Sequence, residues 1–185
     1  MIHPETNYLV SAAKFGFPLK KILPDALQEK CSSQDWCGIE IKSGLKEGRG
    51  IFTNKFIKKN APLCNYGGVQ VSQSYAEKYL LPDDEKCNYL VEVVETTSSG
   101  MELFYINCDS KRDKTYGQLL NHSSLHPNAM PRTYATAKGK LDIIFCAQRD
   151  VKSGEEILWD YGKNYNGVEP CVESCMKCKG AVTKS

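Results

Sequence analysis

Residues 117–123 read Gly117-Gln118-Leu119-Leu120-Asn121-His122-Ser123. Two apolar residues give way at once to three small polar ones. Leu119 and Leu120 are expected to anchor a short helical turn over residues 116–120 in a core. Asn121, His122 and Ser123 then present donors and acceptors where the chain leaves that core. A buried polar group without a partner costs about 1–3 kcal/mol, so the three must bond to each other, to the backbone or to a ligand. Taken alone, the triplet also fits a capped turn. Its meaning depends on the segments around it.

Upstream, Gly48-Arg49-Gly50-Ile51-Phe52 reads as a tight turn entering a strand. It is not the phosphate-binding glycine pattern, because residue 53 is Thr53. Further strands are expected over residues 61–66, stopped by Gly67-Gly68, and over 89–94 and 102–108, joined by the turn Thr97-Ser98-Ser99-Gly100. Downstream, residues 130–135 and 141–147 flank a Lys138-Gly139 turn. Ser153-Gly154 introduces a last strand over 156–159. Helices are expected only over residues 7–15, over 24–30 with Pro24 as the first helical residue, and over 73–81 before Pro82. Many short strands and few helices give a β-rich α+β fold class.

Composition narrows the function classes. The chain has 185 residues, 41% apolar and 25% charged, as expected for one soluble domain. There is no apolar run of about 18 residues to span a membrane. Nor is there a basic-then-apolar secretory leader, and an intracellular protein is expected. A formal charge of +2 is too small to point to sequence-specific nucleic-acid binding. The nine cysteines are odd in number and lack a secretory context, so reduced thiols are expected. Most should act as small core residues. The exception is the dense tail cluster Cys171, Cys175 and Cys178.

Four segments stand in order: Gly48-Arg49-Gly50; Tyr66-x-Gly68; Asn121-His122-Ser123 with Pro127-Asn128; and Gly154-Glu155-Glu156-Ile157-Leu158-Trp159-Asp160-Tyr161-Gly162. Together they resemble the SET-domain protein lysine methyltransferases over roughly residues 46–163. The Asp160-Tyr161-Gly162 ending and the step from Tyr105 to Asn121 are most similar to the single-domain enzymes that monomethylate a histone-tail lysine. The resemblance implies small curved sheets with a C-terminal segment threaded under an earlier loop (a pseudoknot). It divides the chain into an N-terminal flank (1–36), a catalytic SET domain (37–163) and a cysteine-containing post-SET-like tail (164–185). It also implies a nuclear, chromatin-associated role, with a protein carrying an exposed lysine as partner, first of all a histone tail. A non-histone protein substrate and a catalytically inactive SET-like binding module are the competing readings.

The implied reaction moves a methyl group from S-adenosylmethionine to a lysine amine. By the resemblance, Tyr161 is the catalytic tyrosine, Tyr89 a channel tyrosine and Trp159 the aromatic that controls product degree. Tryptophan departs from the family's usual Phe or Tyr at that place. Gly48 and Arg49 would meet the cofactor, flanked by Glu47, together with Asn121, His122 and Tyr105; Tyr165 would cover the adenine ring. Structural alternatives stand beside these: a hydrogen-bonded structural role for His122, strand packing for Tyr89 and Tyr105, core packing for Trp159, and a surface place for Tyr165. Many SET proteins hold zinc with three tail cysteines and a fourth just after Asn-His-Ser. Here that place is Ser124. The tail thiols therefore hold a zinc completed by Cys108 or by another chain, or they hold no metal.

Overall fold

The computed structural model describes residues 10–11, 21–45, 48–82, 89–97, 100–108, 114–136 and 140–162. The strands are β1 (Val10–Ser11), β2 (Lys21–Ile22), β3 (Ile39–Leu45), β4 (Gly48–Thr53), β5 (Pro62–Asn65), β6 (Val69–Ser72), β7 (Leu90–Thr97) and β8 (Gly100–Asn107). They continue with β9 (Asn121–His122), β10 (Ala129–Ala135), β11 (Leu141–Ala147) and β12 (Leu158–Trp159). Among the described residues the helices are α1 (Asp25–Ser33) and α2 (Gln73–Tyr79), and Gly117–Leu119 forms one 3-10 turn.

Strand β11 is the spine of the core. Ile143, Ile144, Phe145, Cys146 and Ala147 are all buried, so the strand reads as a continuous apolar run. It needs that character because β10 pairs along one edge and β5 along the other, both antiparallel. A second sheet runs in the order β1, β7, β8, β6, and β3 pairs with β4 as a hairpin. Gly48-Arg49-Gly50 lies inside β4, opposite Lys42 and Ser43, and is not a turn before the strand. The irregularity in this ladder falls between Ser43 and Leu45, where Gly44 has φ 80°. A β-bulge there favours glycine, and it absorbs the bend that the sequence places at Gly48.

Several boundaries differ from expectation. Pro24 is the extended residue before α1, with ψ 144°, and Asp25 opens the helix. Helix α2 begins beside Ser72, whose Oγ accepts from the Tyr75 N–H at 3.2 Å, and ends at Tyr79. Val10–Ser11 is extended and pairs in parallel with Val91 and Glu92, where a helix is expected; the rest of residues 7–15 lies outside the described residues. The N-terminal flank is built into the domain: Leu23 and Trp36 are 1% and 5% exposed within the same core cluster as β11.

Strand β12 sits between β10 and β9, parallel to both. Its two neighbours are consecutive in sequence. Residues 123–128, which join them, must therefore arch over the end of β12. This is the passage of the C-terminal segment under an earlier loop that the sequence motifs imply, an exception to the usual avoidance of threaded loops.

Candidate functional site

The 3-10 turn at Gly117–Leu119 lies flat on β5. A Cβ at Gly117 would stand 2.5 Å from the Asn65 carbonyl oxygen, so only glycine permits the approach. Leu120 follows, buried at 1% exposure, and Asn121 and His122 form β9 at half burial. The anchor-then-polar pattern of this stretch is thereby realised.

Asn121 ties three segments together. Its Nδ2 donates to the Arg49 carbonyl at 3.1 Å and to Glu156 Oε1 at 2.7 Å. Gly50 leaves the room for this: a Cβ there would be 2.5 Å from Glu156 Oε1 and 2.8 Å from Asn121 Nδ2. Asn128, 1% exposed, clamps the entry to β12 by donating to the Glu156 carbonyl and accepting from the Leu158 N–H, both at 2.8 Å. The Ser123 N–H donates to the Trp159 carbonyl at 3.1 Å.

Tyr161 closes the site. Its hydroxyl donates to the Leu120 carbonyl and its backbone N–H donates to His122 Nδ1 at 3.1 Å. Nδ1 is therefore an acceptor, and the imidazole is neutral in this arrangement. Burial pulls the His122 pKa below its ordinary value, partly opposed by Asp160 and by the Trp159 backbone. The His122 and Tyr161 rings are 5.1 Å apart, Tyr161 and Trp159 4.9 Å, Trp159 and Phe145 4.8 Å, and Phe145 and Tyr66 6.3 Å. Tyr66 is 4% exposed, and its hydroxyl is pushed well above the usual phenol range by burial first, then by Cys108, Tyr161 and Tyr89 close by. Tyr89 packs partly buried against the same cluster.

The structure thus brings together Arg49, Asn121, His122, Tyr89, Trp159 and Tyr161, with Gly48 the exposed residue before Arg49 on β4. Tyr105 stands apart. It packs with Ala76, Leu80 and Leu90 under α2, and its hydroxyl lies 3.5 Å from Glu92, which with burial pushes it up to about 12. Glu47, Tyr165, Cys171, Cys175 and Cys178 lie outside the described residues. Cys108 is fully buried and donates to the Tyr66 carbonyl at 3.3 Å. Among the described residues no group of three His, Cys, Asp or Glu side chains is placed to hold a metal. Three site residues had no role assigned from sequence: Tyr66, Asn128 and Glu156. Each lies within one of the four motif segments, which was the available signal.

Comparison with known proteins gives consistent matches. The family profile for the SET domain matches residues 48–162. The variant-silencing SET domain-containing protein of Plasmodium falciparum is 29% identical over 153 residues, 77% of this chain and 6% of that protein. The histone-lysine N-methyltransferase set-1 of Caenorhabditis elegans is 28% identical over 128 residues, 67% of this chain and 50% of that protein. The chain thus spans half or less of the length of these curated relatives. The crystal structure of CpSET8 from Cryptosporidium superposes with a TM-score of 0.55 at 24% identity, covering 71% of this chain and 59% of that one.

Proposed function

The chain belongs to the SET-domain family, and from that premise we propose that it is a protein-lysine N-methyltransferase using S-adenosylmethionine. One observation carries the reading. The Tyr161 hydroxyl, the Asn121–His122 strand and the Gly48-Arg49-Gly50 strand converge on one place, beside a buried aromatic wall of Trp159, Tyr66 and Tyr89. The donor set fits the cofactor. Backbone groups of Gly48 and Arg49 with the half-buried Asn121 and His122 offer polar partners for its amino-acid part, and Gly50 keeps that approach open. The chemistry supplied by such a cofactor is an activated methyl group on a sulfonium sulfur.

The remaining work belongs to this chain. A free lysine amine is protonated at neutral pH, with a pKa near about 10.4. A channel walled by Trp159, Tyr66 and Tyr89 strips water from the amine and favours its neutral, nucleophilic form. Tyr161, fixed at both its hydroxyl and its N–H, orients that amine. Catalysis is then largely alignment in a dry site. Trp159 fills the channel end and holds the reaction to one methyl group, or two at most.

The substrate we infer is a histone-tail lysine, in line with the activity named for the Caenorhabditis elegans relative. It implies a nuclear, chromatin-associated role. Incubation with core histones, nucleosomes and S-adenosylmethionine, read by mass spectrometry beside calorimetry of cofactor binding, tests this. Methyl-lysine on a histone peptide supports the proposal. Cofactor binding with product only on non-histone proteins moves the substrate class. No binding and no transfer by a folded chain leaves the binding-module reading.

A further inference from the structure

Behind Tyr66 lies a polar relay that the site itself does not use. It starts at Gln34, the left-handed residue (φ 57°) that ends α1. Gln34 Nε2 donates to the Cys31 carbonyl at 2.6 Å and to Asn65 Oδ1 at 2.8 Å. Asn65, 3% exposed at the end of β5, turns its Nδ2 toward Asp142 Oδ2 at 3.5 Å. Asp142 Oδ1 accepts from the Ile143 N–H at 2.8 Å. The Asn65 amide thus carries the relay from Gln34 to Asp142, accepting from the first and donating to the second. The backbone donor to Asp142 leads to Tyr66: the carbonyl of the same Ile143 accepts the Tyr66 N–H at 2.8 Å, and Asn65 is the residue before Tyr66.

The other flank of Tyr66 is fixed as well, since its carbonyl accepts from Cys108 Sγ and Thr115 Oγ1. Tyr66 is thus open to adjustment chiefly from its N–H side, through Asn65 and Ile143. A carboxylate suits that place because it only accepts, and the Ile143 N–H and Asn65 Nδ2 both face it. Gln34 Oε1 is buried with no partner among the described residues. The amide thus keeps both its N–H donations at the expense of its oxygen, as expected if the donor direction matters.

We propose that Asp142, with Asn65 and Gln34, is a positioning device for Tyr66, through which α1 of the N-terminal flank sets the wall of the acceptor channel. The proposal rests on the methyltransferase reading for its effect on rate, but not for its effect on Tyr66. Asp142→Asn presents an amide N–H₂ to donors and breaks the relay at its sink. Gln34→Ala removes only the α1 end.

The test labels the chain with 3-fluorotyrosine, assigns the Tyr66 fluorine resonance with Tyr66→Phe, and compares both variants with the parent. Asp142→Asn should move or broaden the Tyr66 resonance, Gln34→Ala should do so less, and Tyr75 and Tyr79 on the remote α2 should stay in place. Ångström-scale misplacement can cost about 100-fold, so kcat on histone substrate should fall at least about tenfold while cofactor affinity stays within about twofold. An unmoved Tyr66 resonance in Asp142→Asn overturns the proposal. So does an equal disturbance of all tyrosines, which would mark a merely structural residue. A parent that transfers no methyl group overturns the methyltransferase reading instead, and the fluorine spectra still decide the positioning role.

Discussion

The Tyr161 hydroxyl donates to the carbonyl of Leu120, a residue 41 positions earlier in the chain. This bond joins the end of the C-terminal segment to the turn that precedes β9. It places a phenol where Asn121 and His122 begin, and it fixes the direction of the O–H.

Replacing Tyr161 with Phe keeps the ring contacts to His122 and Trp159 but removes that hydroxyl. A single orienting, charge-stabilising group is typically worth about 2.7–4 kcal/mol, so methyl transfer should fall roughly 100- to 1000-fold. The lost hydrogen bond should lower stability by only about 0.5–1.5 kcal/mol. Turnover assays beside thermal melts check both. Turnover within a few-fold of the parent would make Tyr161 a structural residue.

His122 ties the site to pH. Its folded pKa lies below the ordinary 6.5 because burial disfavours the charged ring. The unfolded chain therefore binds a proton more readily than the folded one. The neutral-His122 contribution to stability is fully present above about pH 6.5 and is lost as pH falls through the lowered folded pKa. Protonation also ends the acceptance of the Tyr161 N–H by Nδ1. Melting temperature and activity should both drop on acidification from pH 7 to 5, and less so in His122→Gln. A parent and variant with the same pH profile would remove His122 from this role.

Gly50 keeps the Asn121–Glu156 contact open. In Gly50→Ala the new Cβ meets Glu156 Oε1, Leu45 Cδ1 and Asn121 Nδ2 at 2.5, 2.7 and 2.8 Å. Overpacking of this kind costs about 1–3 kcal/mol. Disturbing Asn121 should weaken S-adenosylmethionine binding roughly tenfold, the equivalent of about 1.4 kcal/mol. Calorimetry with the cofactor and its demethylated product measures this, and an unchanged affinity would place the cofactor away from Asn121.

Trp159 is 2% exposed between Phe145 and Tyr161. An amine that already carries a methyl group needs extra width at the channel end. Crowding a close-fitted site costs about 1–3 kcal/mol, and the penalty falls more on the second transfer than the first. The parent should stop at one methyl, or two at most, and Trp159→Phe should raise the di- and trimethyl share. Mass spectrometry of a saturated reaction on an unmodified peptide reads the outcome. Abundant trimethyl product from the parent would put the indole outside the channel.

We propose that Cys171, Cys175 and Cys178 hold one zinc, completed by Cys108 or by a ligand on another chain. Metal analysis of the purified chain should find about one zinc per chain, lost in Cys175→Ser. Well under one equivalent in the parent would leave three free thiols in the tail.

The order of the four motif segments made the fold class and most of the site legible in the sequence. Asn121, His122 and Tyr161 meet as expected because each lies in a short segment whose polar residues need partners. Tyr105 lies where its strand-packing alternative puts it. Strand alternation places it on the face of β8 that packs under α2, and only the register with Glu92 and Val71 reveals which face that is. Gly48 and Gly50 read as a turn because β3, their partner, carries no strong strand pattern: Lys42, Ser43 and Gly44 are exposed. Asp142 was invisible for a different reason. An acidic residue inside an apolar strand gives no sign of its partners, which come from α1 and β5.

The position of β12 between two sequence-adjacent strands has a temporal meaning. Strands β9 and β10 emerge from the ribosome before their shared neighbour exists, and no local hairpin can close the slot between them. Long-range pairings of this kind form late and slowly. Tyr161, two residues beyond β12, reaches Leu120 only after that insertion. If the chain is the methyltransferase proposed above, it is inert while nascent or refolding until β12 is seated, and the appearance of turnover would time that insertion.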